Sequence, residues 1–351
     1  MTIPTQQKAL LLPEPHAPFV VRTVDVYKPE AGEVLVRVEA TALNPVDWKI
    51  QAWNFLVDEY PAVVGTDITG TVVELGEGVT NVAVGDKIVW QGWFANRLAS
   101  FQQYTIAKVD RVAKIPPSVS FEQAATIPVG AAAAYVGLYG IKQKEGGANL
   151  TPSWIEGGRG NYTGQPIVIF GGSSSVGQYA IQFAKLSGFS PIITTASPRN
   201  YDHVKSLGAT HTINRSLSPS DIVAEVKKIT SEPVQIVYDA ISEEDTQNTA
   251  YDILAPGGTV VITLAQNVAQ EKIGKDKSII HTLGNVHIEH NHALGVGFFS
   301  HLTEYLASGD IKPNQFELVP GGLEAIPKGL ERLRNGEVSA RKLVVNPNET
   351  V

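Results

Sequence analysis

The 351-residue chain contains no cysteine at all. Disulfides, thiolate nucleophiles, iron–sulfur clusters and every zinc site built on sulfur are thereby excluded. A basic surplus is missing too: 28 Lys and Arg stand against 35 Asp and Glu, for a net charge of −7. Nothing in that balance would hold a phosphate backbone, so no nucleic-acid partner is expected. No run approaches the ~20 apolar residues of a membrane span, and the opening MTIPTQQKALLLPEP has no basic stretch followed by an apolar one. No membrane association and a cytosolic location are therefore expected. What the chain does have is 43% hydrophobic content, enough over this length for one large or two medium folded domains.

Up to about residue 85 the pattern is of short β-branched runs bounded by glycine: VLVRVEATAL (34–43), GTDITGTVVELG (65–76) and VAVGDKIV (82–89). Such alternation suits half-buried antiparallel strands in a small barrel-like domain. In IPPSVSFEQAATIPVGAAAAYVGLYG (115–140) the period changes. Ser120 with Gln123 three residues on makes a capping box, and the alanine run favours a close-packed helix leading into a second domain. Residues 142–165 are polar and glycine-rich and read as a long exposed loop. Beyond them, apolar strands alternate with helical segments (PIVIFGG, QYAIQFAKLSG, PIITTAS, VQIVYDAIS, GGTVVITLA), the signature of a parallel sheet covered on both faces. The fold class is α/β, and RKLVV (341–345) is expected to return to the first domain.

The strongest chemical signal is GGSSSVG, 171–177, set between an apolar strand and a helix. Gly172, Ser174 and Gly177 keep the spacing of a dinucleotide fingerprint, with serine where the middle glycine usually stands. A helix N-terminus with free N–H groups must meet a pyrophosphate there, so Ser173, Ser174, Ser175 and Val176 have to be small or point away. An ordinary serine-capped turn is the plainer alternative, and the strand–turn–helix order argues against it. About 20 residues on, where an acidic side chain would bind the ribose hydroxyls of NAD, stands ITTASPRNY; from Gly172 through Tyr201 there is no Asp or Glu. Ser197 and Arg199 suit a 2′-phosphate instead, since arginine offers a fork of donors. The expected cofactor is NADP(H).

With ALNPVDWKI (42–50), residues 65–89, GGSSSVGQYAIQFAKLSG and GGLEAIPKGLERLRNGEVSARKLVV (321–345) in view, the chain resembles the zinc-free medium-chain dehydrogenase/reductases, and among them the quinone-reductase-like and fungal trans-acting enoyl reductases. The resemblance implies a GroES-like β-rich catalytic domain built from 1–127 and 293–351, a Rossmann domain over 128–292, and a substrate cleft at their junction. Zinc-dependent relatives place a cysteine near Asn44 and a His-Glu pair at Thr66 and Asp67, so no metal is expected. Without a Lewis acid, alcohol oxidation is disfavoured, whereas hydride addition to a conjugated C=C or a quinone needs only a hydrogen-bond donor and a proton.

By the same resemblance Lys49 is a candidate catalytic group, with Tyr60 and Tyr139 as further donors; a solvated lysine and satisfied core tyrosines are the plainer alternatives. Asn44 and Asp47 are expected on the nicotinamide side, and Asn200, Arg215, Ile241, Leu264 and Lys342 complete the cofactor set. Relatives often carry a threonine where Ala133 stands. His287, Glu289, His290 and His292 invite a metal reading, but they lack helical ligand spacing. The expected substrate is an unsaturated carbonyl compound or quinone. A catalytically silent NADPH-binding protein and an enoyl reductase serving the carrier protein of a polyketide synthase are the alternatives, as monomer or homodimer.

Overall fold

Residues 3–351 are described by a computed structural model. The chain opens with β1 (Gln6–Leu12), β2 (Val20–Asp25), β3 (Glu33–Ala42), α1 (Pro45–Trp53), β4 (Ala62–Val63), β5 (Asp67–Leu75), β6 (Lys87–Gln91), β7 (Tyr104–Lys108) and β8 (Val112–Lys114). Next come α2 (Phe121–Ala125), α3 (Pro128–Tyr139), β9 (Ile167–Phe170), α4 (Ser175–Leu186), β10 (Ile192–Ala196), α5 (Tyr201–Leu207), β11 (His211–Asn214) and α6 (Pro219–Ile229). It ends with β12 (Ile236–Asp239), α7 (Glu244–Ile253), β13 (Thr259–Ile262), β14 (Ser278–His281), α8 (His292–Ser308), β15 (Gln315–Leu318), α9 (Ile326–Arg334) and β16 (Arg341–Val345).

Two compact units result. The first holds the chain up to Val129 with Phe298–Gly309 and Pro313–Val351; the second holds Gly130–Gly297 and Asp310–Lys312. The second boundary falls at Gly297, inside the unbroken helix α8, where no turn residue marks it.

The first unit is β-rich. Its larger sheet runs β15-β16-β3-β5-β6-β8, and β7 also pairs with β3. The ten-residue β3 shares its length between β7 over Glu33–Arg37 and β16 at Thr41 and Ala42. RKLVV thus closes against the first sheet. A core of Leu10, Leu12, Leu43, Ile50, Phe101, Leu323, Leu330 and Leu343 draws on both ends of the chain, and Ile50 fixes α1 in it.

The second unit carries a wholly parallel sheet in the order β11-β10-β9-β12-β13-β14. Counted from β9, that is strand order 3-2-1-4-5-6, the doubly wound dinucleotide arrangement with its reversal between β9 and β12. The four inner strands are short and fully buried, as IVIF at Ile167–Phe170 illustrates, while the edge strands β11 and β14 are part-exposed.

Two local expectations need correcting. The stretch from Ser120 forms two helices, because Pro128 lacks an N–H and forces a break after Ala125. The glycine-rich segment 142–165 is tied down: Ala148 N–H donates to the Gly137 carbonyl (2.8 Å), Thr151 N–H donates to the Tyr162 hydroxyl (2.7 Å), and Tyr162 stacks on Phe189. Trp154 sits edge-on against Tyr135, Tyr139 and Phe183. Aromatic anchors spaced irregularly along a polar stretch leave no periodicity from which to foresee this.

Candidate cofactor loop and buried lysine cluster

In the second unit the turn after β9 is shaped by glycine. Gly171 has φ +71°, and a Cβ there would meet Ile241 Cδ1 at 2.4 Å. At Gly177 a Cβ would lie 2.2 Å from the Gly171 carbonyl oxygen, so only glycine lets α4 begin this close to the strand end. The N–H groups of Gly171 and Gly172 donate to the Thr195 hydroxyl and carbonyl (both 3.0 Å), which pins the turn onto β10. Ser174 is the N-cap: its hydroxyl accepts from Gly177 N–H at 3.0 Å. Ser173, Ser174, Ser175 and Val176 remain half-buried around this helix start, where first-turn amides have no intrahelical acceptor.

Of the other expected cofactor residues, those of this unit lie past the C-terminal ends of neighbouring strands of this one sheet, whereas Asn44, Asp47 and Lys342 belong to the first unit. Ser197, Arg199 and Asn200 follow β10, and Arg215 follows β11 with its N–H donating to the Ala196 carbonyl (3.0 Å). Arg199 and Arg215 are exposed. Ile241 follows β12 and Leu264 follows β13. Asp239, which the sequence pattern does not mark, holds the Ile241 turn: its carboxylate accepts from the N–H groups of Ile241 (3.0 Å) and Ser242 (2.8 Å) and from the Thr246 hydroxyl (2.7 Å). Burial pushes its pKa up against those bonds. Gly171 also belongs to this site beyond the expected set, and its place at the mouth of the turn is the signal that could have found it.

Tyr139 belongs to the core of this unit. It is 4% exposed, and its hydroxyl is shared with Ser187 Oγ at 2.8 Å, a packing role. Ala133 is half-buried, and its carbonyl accepts from the Tyr238 hydroxyl (2.7 Å). His290 Nε2 lies 3.2 Å from the Glu145 carbonyl.

In the first unit, α1 begins at a buried cluster. Asn44 is the N-cap, and its N–H donates to Asp47 Oδ2 at 2.8 Å. The Asn44 amide donates to Asp67 Oδ2 (2.9 Å), while its Oδ1 accepts from Lys342 Nζ at 2.6 Å. Lys342 also forms an ion pair with Asp67. The second oxygen of Asp67 accepts the N–H of Val129, at the start of α3, at 2.6 Å. None of these side chains is more than 4% exposed. Asp47 Oδ1 is buried with no hydrogen-bond partner among the described residues. Burial, reinforced by the Asp67 charge, pushes Asp47 up to about 7.

Lys49 lies two residues further along α1. Its ammonium stands 5.7 Å from the Trp48 ring centre and 5.3 Å from that of Trp53, a pair of favourable quadrupole contacts. Half-burial holds its pKa below the usual lysine range. Tyr60 donates its hydroxyl to Asn54 Oδ1 (2.7 Å), at the far end of the same helix.

Two family models match: an alcohol dehydrogenase GroES-like domain over residues 30–117 and a zinc-binding dehydrogenase over 175–292. The chain is 35% identical to the trans-enoyl reductase himH of Aspergillus japonicus over 329 residues, covering 89% of each chain. It resembles the quinone oxidoreductase of Coxiella burnetii with a TM-score of 0.72 and 26% identity, covering 97% of this chain and 99% of that one. An alcohol dehydrogenase superfamily protein of Novosphingobium aromaticivorans shares the fold with a TM-score of 0.79, at 24% identity and coverages of 97% and 99%. The name of the second model implies zinc, and these residues do not fit one. Among the described residues no group of three or more His, Cys, Asp or Glu could hold a metal ion, and the Lys342 ammonium sits between Asn44 and Asp67, where a cation would be repelled. Among the described residues, too, no helix is long and apolar enough to cross a membrane.

Proposed function

That the chain belongs to the medium-chain dehydrogenase/reductases, with the fungal trans-enoyl reductases among its relatives, is the premise from which we propose an NADPH-dependent, zinc-independent reductase of activated C=C bonds or quinones. The observation that carries the reading is the combination at the C-terminal end of one sheet: a Ser/Gly turn opening α4 after the central strand β9, and Ser197 with Arg199, in place of a carboxylate, after β10. The α4 amides suit a pyrophosphate and the guanidinium suits a 2′-phosphate. Bound there, NADPH supplies the hydride.

This chain's residues then have two tasks. The turn and Ile241 hold the dinucleotide and orient it. Lys49, with its pKa lowered by half-burial, is a proton donor closer to working pH than an ordinary lysine. With hydride from the bound cofactor going to the β-carbon of the acceptor and the electron pair to its carbonyl oxygen, Lys49, or water beside it, would supply the proton that balances the reduction. The relative named trans-enoyl reductase supports an enoyl acceptor; a substrate delivered by a carrier protein in the cytosol is a narrower version of the same proposal.

A catalytically silent NADPH-binding role is favoured by one feature, the methyl of Ala133 in place of a hydroxyl. NADPH oxidation measured against enones, quinones and enoyl thioesters decides between the two. Turnover on at least one class with NADPH preferred over NADH is expected; bound cofactor with no turnover on any acceptor selects the silent role, and preference for NADH overturns the cofactor assignment.

A further inference from the structure

The buried cluster at the start of α1 joins four stretches of chain around one ion pair, that of Lys342 with Asp67. Lys342 comes from β16, Asp67 opens β5, Asn44 caps α1, and Val129 lies in the first turn of α3, its N–H donating to Asp67. Lysine has three donors and needs every acceptor it can reach when water is gone; Asn44 Oδ1 and Asp67 Oδ2 supply two. Asp67 in turn accepts from Lys342, Asn44 and Val129.

An N-cap asparagine ordinarily spends its side-chain oxygen on the amides of its own helix. Here the Asn44 side chain forms a capping box with Asp47, and its Oδ1 also accepts from Lys342, so a cation on a distant strand shares in setting the start of α1. The helix has only nine residues. The placement of its first turn therefore decides where Lys49 lies between Trp48 and Trp53.

We propose that Lys342 is a positioning residue: its ammonium is the fixed internal cation that locks Asn44 to Asp67 and thereby sets the first turn of α1 and the place of Lys49. The inference deepens the reductase reading and rests on it for the role of Lys49. It also separates Lys342 from the cofactor phosphates, which its nearly complete burial argues against.

The test uses the full chain labelled with 5-fluorotryptophan, each resonance assigned by a single Trp→Phe change. In Lys342→Met the Trp48 and Trp53 resonances shift while that of Trp154, in the other unit, stays in place. The same variant loses roughly 10- to 100-fold in kcat, the effect of a misplacement near 1 Å, and keeps the wild-type affinity for NADPH. Unmoved Trp48 and Trp53 resonances overturn the proposal, as does a tenfold or greater loss of NADPH affinity with those resonances unmoved, which assigns the ammonium to the cofactor. Should Lys342→Met fail to fold, Lys342→Met/Asp67→Asn removes both charges together. It must still displace the two tryptophans, and wild-type resonances there refute the inference. The spectra need no substrate, so they decide the placement of α1 even where the reductase reading fails.

Discussion

Gly177→Ala tests the cofactor loop at its tightest point. The added Cβ would lie 2.2 Å from the Gly171 carbonyl oxygen and 2.9 Å from both Gly171 C and Gly172 Cα. All three are backbone atoms, so no rotamer change relieves the clash, and the start of α4 must retreat by roughly 1 Å to reach ordinary contact. Overpacking of this kind costs about 1–3 kcal/mol, which lowers the melting temperature of a unit this size by roughly 2–12 °C. The retreat also carries the first-turn amides away from the pyrophosphate. Losing a charge-assisted hydrogen bond costs about 1.5–3 kcal/mol, a weakening of NADPH binding of roughly 10- to 150-fold. Differential scanning calorimetry reads the first quantity and nicotinamide fluorescence titration the second. A variant with wild-type melting and NADPH affinity within about twofold of wild type would refute both the packing and the placement of the dinucleotide.

Arg199→Ala is expected to weaken NADPH binding by about 10-fold or more while leaving NADH unchanged; equal losses for both cofactors would remove the 2′-phosphate from Arg199. Lys49→Met is expected to lower kcat by roughly 10²- to 10⁴-fold. In the wild type kcat should fall on the basic side below the ordinary lysine value of about 10.4, because burial lowers the Lys49 pKa, and a limb that persists in the variant assigns the proton elsewhere. Asp47, raised from 3.8 to about 7, keeps its proton in the folded chain over a range where the unfolded chain releases it. Between those values the unfolded state binds fewer protons, so this group lowers stability as pH rises, by at most about 1.4 kcal/mol per pH unit. Denaturation of the wild type and Asp47→Asn from pH 4 to 7 should show the wild type losing ground to the variant as pH increases, and parallel curves would contradict it.

The strand, turn and helix around residues 171–177 were legible because they are local: the apolar strand, the small residues and the helix lie within about twenty consecutive positions, and each has a pattern of its own. The alternation of strands with helices in the second unit is local in the same way, and it led to the parallel sheet. The lysine cluster is of the opposite kind. Lys342 meets Asn44 across 298 positions and Asp67 across 275, and a lysine in RKLVV has no local mark that distinguishes burial from solvation. Resemblance put Asn44, Asp67 and Lys342 in view one at a time; only the fold joins them. Tyr139 shows the same limit, for its alanine-rich helix gives no hint that Ser187 waits for its hydroxyl.

The first unit draws on both ends of the chain, and this bears on how the protein is made. The edge of β3 at Thr41 and Ala42 leaves the ribosome about 300 residues before the strand that will pair with it, a wait of roughly 15–60 s at ordinary elongation rates. During that interval Asp67 is without its counter-cation, and the sheet edge beside it stands open to neighbouring nascent chains. The parallel sheet, complete by His281, is finished before β16 is made, so the second unit has its whole sheet while the β-rich one still waits for its last strand.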